Sequence, residues 1–306
     1  MQAFVAVTDS KWYQFLSARP ALDEINFWRP TAASQFQALA PGEPLLMKLH
    51  RPQAAIAGVA FFEGYCRLPL VSAWDTFREG NGAASLQDLV TALARYRKGP
   101  AREMEDVGCV ILRDPTYFPR DDWIEEPADW SGNIVQGKGY DAGLGIGAEL
   151  WAQVEDRLQR SHLWEEVPAM GPMVQFRDDL TRRRLGQGGF RALVTSAYGR
   201  RCAVTGERVL PVLEACHIQP ATRQGPHDIR NGLLLRSDLH RLFDDGYLGL
   251  DPTTLRLEVS HKLRDDFANG REYYALAGRE LRLPERRAER PDLQFLTWHR
   301  DILYRG

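Results

Sequence analysis

Four polar residues near the C-terminal end of the chain have the types and spacing that metal-dependent hydrolysis requires. His217 lies 14 residues before Asn231, and Asn231 lies nine residues before His240. Asp244 follows His240 by four residues, and positions i and i+4 share one face of a helix, so this pair can present an imidazole and a carboxylate to one ion. His217 on a neighbouring strand could then take a proton from water while the ion stabilises charge on the leaving oxygen. The spacing therefore predicts a hydrolytic metal site with His217 as its base.

The sequence around these residues resembles the HNH nuclease family. The motifs are RRCAVTGE (200–207), LEACHIQP (213–220) and NGLLLRSDLHRLFDDG (231–246), and they are closest to the branch described as restriction endonucleases. The resemblance implies a ββα-metal fold in which the first histidine is the general base, the asparagine orients the loop that positions it, and the helix histidine binds the metal. These roles fall on His217, Asn231 and His240, and Asp244 stands where a further ligand is sometimes found.

The chain departs from the family pattern at the strand-side metal ligand. Many members have Asp or His directly before the base, where this chain has Cys216. Strand alternation places Glu214 and Cys216 on one face, so either could supply the missing ligand. Carboxylate and imidazole ligands suit a divalent ion, with Mg²⁺ or Mn²⁺ expected first and Ni²⁺ or Zn²⁺ also accommodated. Only Cys202 remains of the cysteine pairs that hold a structural zinc in many relatives, so no zinc ribbon is expected. The remaining histidines are predicted to be surface or packing residues: His50, His162, His227, His261 and His299.

The elements that carry these residues predict an α+β protein of two domains. At 306 residues the chain exceeds one typical domain. Short apolar and β-branched runs bounded by Gly or Pro predict strands in the N-terminal part, and a helix from about residue 148 leads into a poorly patterned stretch. We expect a first domain over 1–145, a helical linker over 146–185 and a nuclease domain over 186–306.

The N-terminal residues resemble, more loosely, the PUA-like superfamily that includes EVE, ASCH and SRA domains. The motifs are VTDSKWYQFL (7–16), NFWRP (26–30) and LVSAWDTFREGNG (70–82). The resemblance implies a small β-barrel that binds nucleic acid and can receive a flipped, modified base. Trp12, Trp28 and Trp74 are the candidate walls of such a pocket, and Asp75 and Ser10 are candidates for reading the base edge.

Charge is distributed unevenly along the chain. Residues 1–180 carry 17 Lys and Arg against 25 Asp and Glu, a net charge of −8, whereas residues 181–306 carry 22 against 16, a net charge of +6. Basic clusters attract polyanions. Arg182, Arg183, Arg184 and Arg201 are therefore candidate contacts to the DNA backbone.

Cellular location follows from what the sequence lacks. No stretch approaches 18 uninterrupted apolar residues, and the start of the chain lacks the pattern of a secretory signal. Four cysteines without a CxxC pair suit a reducing compartment. We expect a cytoplasmic protein with no membrane partner.

The sequence predicts a modification-dependent DNA endonuclease that restricts phage or foreign DNA. Its partner would be double-stranded DNA carrying a modified, cytosine-derived base. Because one HNH site cuts one strand, double-strand cleavage would favour a homodimer. Two alternatives stay open: an HNH DNase activated by a small signal molecule or RNA, and a non-catalytic reader that uses its HNH domain as a clamp.

Overall fold

The computed structural model describes residues 1–32, 34–97, 100, 102–160 and 186–306. Two compact units divide the chain, Met1–Gly189 and Phe190–Gly306. Both units combine helices with sheets, which confirms the predicted α+β class. Among the described helices, none is both long enough and apolar enough to cross a membrane.

The first unit is organised around one mixed sheet. Its described strands are β1 (Gln2–Thr8), β2 (Glu24–Arg29), β3 (Pro44–Leu49), β4 (Ala55–Pro69), β5 (Asp106–Tyr117), β6 (Ile124–Glu125) and β7 (Gly137–Asp141). Its described helices are α1 (Ser10–Ser17), α2 (Leu70–Phe77), α3 (Leu86–Ala94) and α4 (Gly145–Arg160). The strand order is β2-β5-β4-β3-β1-β7, β6 pairs with β4, and β1 and β3 run parallel.

Side chains of the central strands are buried on both sheet faces. In β3 all six residues of PLLMKL are buried, which explains why this strand reads as a nearly continuous apolar run. Leu46 packs in one core cluster with Val5, whereas its neighbours Leu45 and Met47 pack in another with Ala6. Successive side chains of a strand point to opposite faces, so the two clusters lie on opposite sides of the sheet.

Helix α4 belongs to the core of the first unit. Leu150, Trp151, Val154 and Leu158 recur at helical spacing, are buried, and pack in the cluster that contains Val5. The predicted linker over 146–185 therefore begins with a helix that is packed against the sheet. The rest of that stretch, 161–185, lies outside the described residues.

The second unit contains two short antiparallel hairpins and several helices. The helices are α5 (Gln187–Ala197), which begins just before the boundary, α6 (Ser237–Asp244), α7 (Lys262–Phe267), α8 (Arg271–Tyr274) and α9 (Leu293–Ile302). The strands are β8 (Leu213–His217) paired with β9 (Gly232–Arg236), and β10 (Leu248–Leu250) paired with β11 (Leu257–Val259). One apolar cluster, built from α5, β8, β9, α6 and α9, forms the core beneath β8 and β9.

Candidate active site

Strands β8 and β9 and helix α6 form a ββα unit that carries every residue of the predicted metal site. The strands pair from Leu213 opposite Arg236 to His217 opposite Gly232. Helix α6 starts at Ser237, directly after β9, so no loop separates the strand from the helix. Leu239 and Phe243 bury one face of α6 against the core, which turns His240 and Asp244 away from it.

Three donor groups meet at the junction of β8 and α6. One ligand atom each from Cys216, His240 and Asp244 lies within 4.8 Å of the other two. The Cys216 Sγ is 3.8 Å from Oδ1 of Asp244, and Nε2 of His240 is 3.2 Å from Oδ2 of Asp244. Cys216 is buried and Asp244 exposed, so the group is open to solvent on one side. Thiol, imidazole and carboxylate at this separation fit the donor set of a divalent transition-metal ion.

Glu214 contacts the opposite nitrogen of the helix histidine. Its Oε2 is 2.6 Å from Nδ1 of His240, while Nε2 of the same ring faces Asp244. A carboxylate hydrogen-bonded to one ring nitrogen fixes the tautomer and orientation of the other nitrogen for a metal. Both strand-side candidates thus lie close to His240. Cys216 belongs to the donor group, whereas Glu214 contacts the other ring nitrogen, Nδ1.

The surroundings of His240 favour a positive charge. Burial lowers the pKa of this imidazole, but hydrogen bonds to Asp244, Cys216 and Glu214 outweigh burial and raise the pKa to about 11. Burial also raises the pKa of the Cys216 thiol to about 11, so the thiol keeps its proton when no ion binds. The groups around His240 therefore stabilise positive charge at this position.

His217 is held in a neutral form. The ring is half-buried and stacks on Phe190 with ring centroids 3.8 Å apart and planes inclined by 9°. Burial lowers the pKa of His217 to about 4, and His227, when it is protonated, adds to this lowering. A neutral imidazole at pH 7 is able to accept a proton.

Asn231 is buried and makes three hydrogen bonds to the loop between β8 and β9. Its Nδ2 donates to the carbonyl oxygens of Gln219 (2.9 Å) and Pro226 (2.8 Å), and its Oδ1 accepts from the backbone N–H of Gln219 (2.9 Å). The amide therefore ties the beginning of the loop to its end. The loop-orienting role that the family resemblance implies for Asn231 stays a prediction, and these three hydrogen bonds are the contacts through which it would act.

Sequence reasoning missed His227 and Phe190 in this unit. The Nδ1 of His227 lies 3.0 Å from Nε2 of His217, although the two residues are ten positions apart. The sequence alone gives little indication of this contact. It depends on Asn231 closing the loop, which brings His227 close to His217. Of the candidate DNA contacts, Arg201 is half-buried in the turn after α5, and Arg182, Arg183 and Arg184 lie outside the described residues.

The first unit contains a cavity of about 500 Å³ with an aromatic lining. Trp12 and Trp28, two of the three candidate walls, both line it. Trp12 is 3% exposed and donates from Nε1 to the carbonyl of Asn26, and Trp28 donates from Nε1 to the carbonyl of Asn81. The ring of Trp28 lies 5.8 Å from that of Tyr96, a further lining residue. Both tryptophans are therefore fixed in orientation by hydrogen bonds at their polar ends.

The polar groups at this cavity belong to residues that were not predicted from the sequence to contact a base. Asp9 accepts hydrogen bonds from the Tyr96 hydroxyl and, at 2.8 Å, from the backbone N–H groups of Lys11 and Trp12. Burial raises the pKa of Asp9, but these hydrogen bonds outweigh burial and lower the pKa below its ordinary value. Arg29 also lines the cavity. The carboxylate and the guanidinium give the aromatic pocket one acceptor and one cationic donor.

Three predicted reader residues lie outside the cavity lining. Trp74 is half-buried on α2, and Asp75 is exposed there with its Oδ1 3.4 Å from Arg78. Ser10 begins α1, one residue after Asp9. The helix cap, Asp9, thus reaches the cavity and the adjacent serine does not. The N-cap pattern of Asp9 before a helix was the available signal for its fixed position.

A family sequence model and several solved structures are similar to parts of this chain. Residues 202–251 match the sequence model of a family described as HNH endonuclease. No curated protein matches the chain. An ASCH protein from Zymomonas mobilis is 15% identical over 48% of this chain and 94% of its own, with a TM-score of 0.35. A substituted form of the same protein is 15% identical over 49% of this chain and 97% of its own, with a TM-score of 0.32. The structure of TagI, a modification-dependent restriction endonuclease, is 16% identical over 92% of this chain and 76% of its own, with a TM-score of 0.30.

The matched segment contains the ββα unit and its donor group. Residues 202–251 include β8, β9 and α6, and therefore His217, Asn231, His240 and Asp244. The HNH resemblance read from the motifs is confirmed, and this segment of the chain carries the sequence of an HNH endonuclease domain.

Proposed function

We propose that this protein is a divalent-metal-dependent DNA endonuclease that cuts DNA carrying a modified, cytosine-derived base. The observation that carries the proposal is the junction of β8 and α6, where Cys216, His240 and Asp244 form one donor group beside a neutral histidine on the same strand. The charges of Asp244 and His240 both influence the pKa of His217, so base and donor group lie within electrostatic reach of each other. The HNH match of the same segment supports this reading.

Phosphodiester hydrolysis needs a base, charge stabilisation and an anchored substrate. In the proposed reaction the imidazole of His217 takes a proton from the attacking water. His240, Asp244 and Cys216 would hold the ion, and Glu214 would orient His240 through Nδ1. The ion, when bound, polarises the phosphate and stabilises negative charge on the leaving oxygen. Asn231 keeps the loop that follows His217 in place during the reaction.

The cavity of the first unit supports the recognition of a single extruded base. Extrusion costs a few kcal/mol, and stacking on aromatic side chains returns ~1–3 kcal/mol per base. Trp12, Trp28 and Tyr96 supply aromatic surface, and Asp9 can accept a hydrogen bond from an exocyclic amino group. The net charge of −8 over residues 1–180 disfavours general binding of phosphates, which suits recognition of one base better than gripping of a backbone.

The direct test is cleavage of matched duplexes by the purified full chain. Unmodified DNA is compared with the same sequence carrying 5-methylcytosine, 5-hydroxymethylcytosine or glucosylated cytosine, each with Mg²⁺, Mn²⁺, Ni²⁺ or Zn²⁺ alone. We expect cutting of at least one modified duplex, no cutting in EDTA and none by His217→Ala. Equal cutting of all duplexes would refute base reading and leave the nuclease. Cutting only after a small molecule or RNA is added would favour the ligand-activated alternative, and no metal binding would favour a non-catalytic reader.

Double-strand cleavage requires two active sites per duplex. One site cuts one strand, so we propose that two copies act on one duplex. With a modified supercoiled plasmid, nicked circles should then precede linear product when protein is limiting. Linear product without a nicked intermediate would mean that the two copies cut in one concerted step, whereas nicked circles as the final product at every protein concentration would contradict the action of two copies on one duplex.

A further inference from the structure

A second histidine contacts the proposed base. His227 belongs to the loop between β8 and β9, and its Nδ1 lies 3.0 Å from Nε2 of His217. The two rings meet at 78° with centroids 4.7 Å apart, so the contact is edge-on at a ring nitrogen. Phe190 stacks on the face of His217 and meets His227 at 71°. The His217 ring is thereby restrained on one face and at one nitrogen.

The position of His227 is fixed from both sides along the chain. The carbonyl of the preceding residue, Pro226, accepts from Nδ2 of Asn231 at 2.8 Å. The side chain of the following residue, Asp228, accepts from the backbone N–H of Arg230 at 2.8 Å. The backbone of Gly225 packs closely against that of Gln219, because a Cβ at position 225 would lie 1.8 Å from the carbonyl oxygen of Gln219. The residues on either side of His227 are therefore both held by hydrogen bonds within the loop.

Only one arrangement of the shared proton lets His217 act as a base. If Nε2–H of His217 donates to Nδ1 of His227, then Nδ1 of His217 keeps its lone pair and is able to take a proton. If His227 donates instead, Nε2 of His217 is occupied and the neutral ring carries its proton on Nδ1. The partner at one nitrogen of a catalytic histidine sets which tautomer is present.

We propose that His227 is a positioning residue for His217: it accepts the hydrogen bond from Nε2–H and thereby selects the tautomer whose Nδ1 is free. This inference rests on the proposed nuclease function. It also assigns a purpose to the Pro226 hydrogen bond of Asn231, because that bond holds the residue directly before His227.

The test compares His227→Ala with His227→Asn in the full chain. The Oδ1 of asparagine can occupy the position of Nδ1 and accept the same hydrogen bond. We expect His227→Ala to lower kcat about 100-fold or more, within the range lost when general-base catalysis fails, with unchanged KM for DNA and unchanged metal affinity. The kcat of His227→Asn should be at least about tenfold higher than that of His227→Ala. His261→Ala is the matched control, because the side chain of His261 is exposed and its Nε2 lies 3.9 Å from Oδ2 of Asp265.

A second readout does not depend on cleavage. Nitrogen-15 NMR of labelled histidines distinguishes a ring protonated on Nε2 from one protonated on Nδ1. We expect His217 to carry its proton on Nε2 in the wild type and in His227→Asn, and to lose that preference in His227→Ala.

The outcomes separate the inference from the proposed function. Full kcat in His227→Ala, or a wild-type His217 protonated on Nδ1, would overturn the positioning role even if the protein is an active nuclease. If the wild type cuts no DNA under any condition, the proposed function fails, and the NMR measurement still decides the positioning role. Should His227→Ala fail to fold, the tautomer in the wild type and the kcat of His227→Asn decide it.

Discussion

The most informative single residue is His240, which lies among a thiol and two carboxylates. Burial alone would lower its pKa, yet contacts with Asp244, Cys216 and Glu214 raise that pKa to about 11. Without an ion, therefore, the imidazole is protonated throughout the neutral range. An ion that binds His240 must displace this proton, so proton and metal compete for one nitrogen.

This competition predicts how cleavage depends on pH. Because burial lowers the pKa of His217 to about 4, the base is already neutral above that value and does not limit the rate on the acid side. Loss of activity on acidification should instead report protonation of His240 and release of the ion. Raising the metal concentration should shift the acid limb of the rate profile to lower pH.

The measurement is the initial cleavage rate from about pH 5 to 9 at two Mn²⁺ concentrations that differ about tenfold. A shift toward acid of about one pH unit is expected if the ion displaces one proton, and of about one-half unit if it displaces the protons of both His240 and Cys216. An acid limb that stays in place at both concentrations would show that protonation of another group, and not metal release, controls the rate.

At the scale of elements, the loop between β8 and β9 depends on one buried amide. Asn231 joins Gln219 at the beginning of the loop to Pro226 near its end. The loop carries His227, and the strand before it ends in His217, so one side chain controls the separation of both histidines. Asn231 is thus a part of the fold and, under the proposed function, also of the active site.

Replacing this amide should affect both stability and catalysis. Asn231→Ala removes three hydrogen bonds at ~1 kcal/mol each, so the free energy of unfolding should fall by roughly 3 kcal/mol. Because His227 would then be released, kcat should fall as well, even at temperatures where the variant is folded. Denaturant unfolding and single-turnover cleavage measure the two effects.

Asn231→Asp serves as the comparison variant. It keeps an acceptor for the N–H of Gln219 but loses both donations from Nδ2. We expect it to lie between the wild type and Asn231→Ala in stability and near Asn231→Ala in kcat. An Asn231→Ala protein that is destabilised yet cuts at the wild-type rate would separate the fold role from the catalytic one and refute the latter.

In the first unit, the turn after α2 fixes one wall of the cavity. Gly82 has φ of +73°, a conformation that favours glycine, and a Cβ at this position would lie 2.1 Å from Cδ1 of Trp12. Trp12 itself lies just after its helix cap, Asp9. Two separate turns therefore determine where the indole lies and leave it little freedom to adjust.

At the scale of the molecule, two compact units carry two kinds of site. The aromatic cavity lies within Met1–Gly189, and the donor group lies within Phe190–Gly306. Each set of residues is complete within its own unit, so binding of a modified base and cleavage should respond to different substitutions.

Separate substitutions should divide the two activities. His217→Ala should bind modified DNA in preference to unmodified DNA at the wild-type level while cutting neither, because it alters only the base. Trp28→Ala should lose about 5- to 150-fold of that preference, the equivalent of ~1–3 kcal/mol of stacking, because its ring lines the cavity. Trp74→Ala, which removes a tryptophan outside the cavity lining, should keep the preference. Electrophoretic mobility shift in EDTA measures binding without cleavage, and equal loss in both tryptophan variants would contradict assignment of the cavity.

The sequence by itself determined the HNH motifs and the α+β class. His240 and Asp244 are one helical turn apart and therefore share a face of the helix. Glu214 and Cys216 are two residues apart on one strand and therefore share a face of the strand. The motif spacing likewise identified Asn231 and His217. Such relations need only the period of a helix or strand, which a sequence displays directly.

Only the tertiary structure decided which more distant residues share a site. His227 reaches His217 through a loop closed by three side-chain hydrogen bonds, and Asp9 meets Tyr96 across 87 positions. Trp28 lines the cavity and Trp74 does not, although both are tryptophans beside apolar runs. A non-local contact depends on how packed elements meet, and no periodicity in the chain encodes that. The same reason explains why the helix predicted to begin a linker is packed against the first sheet.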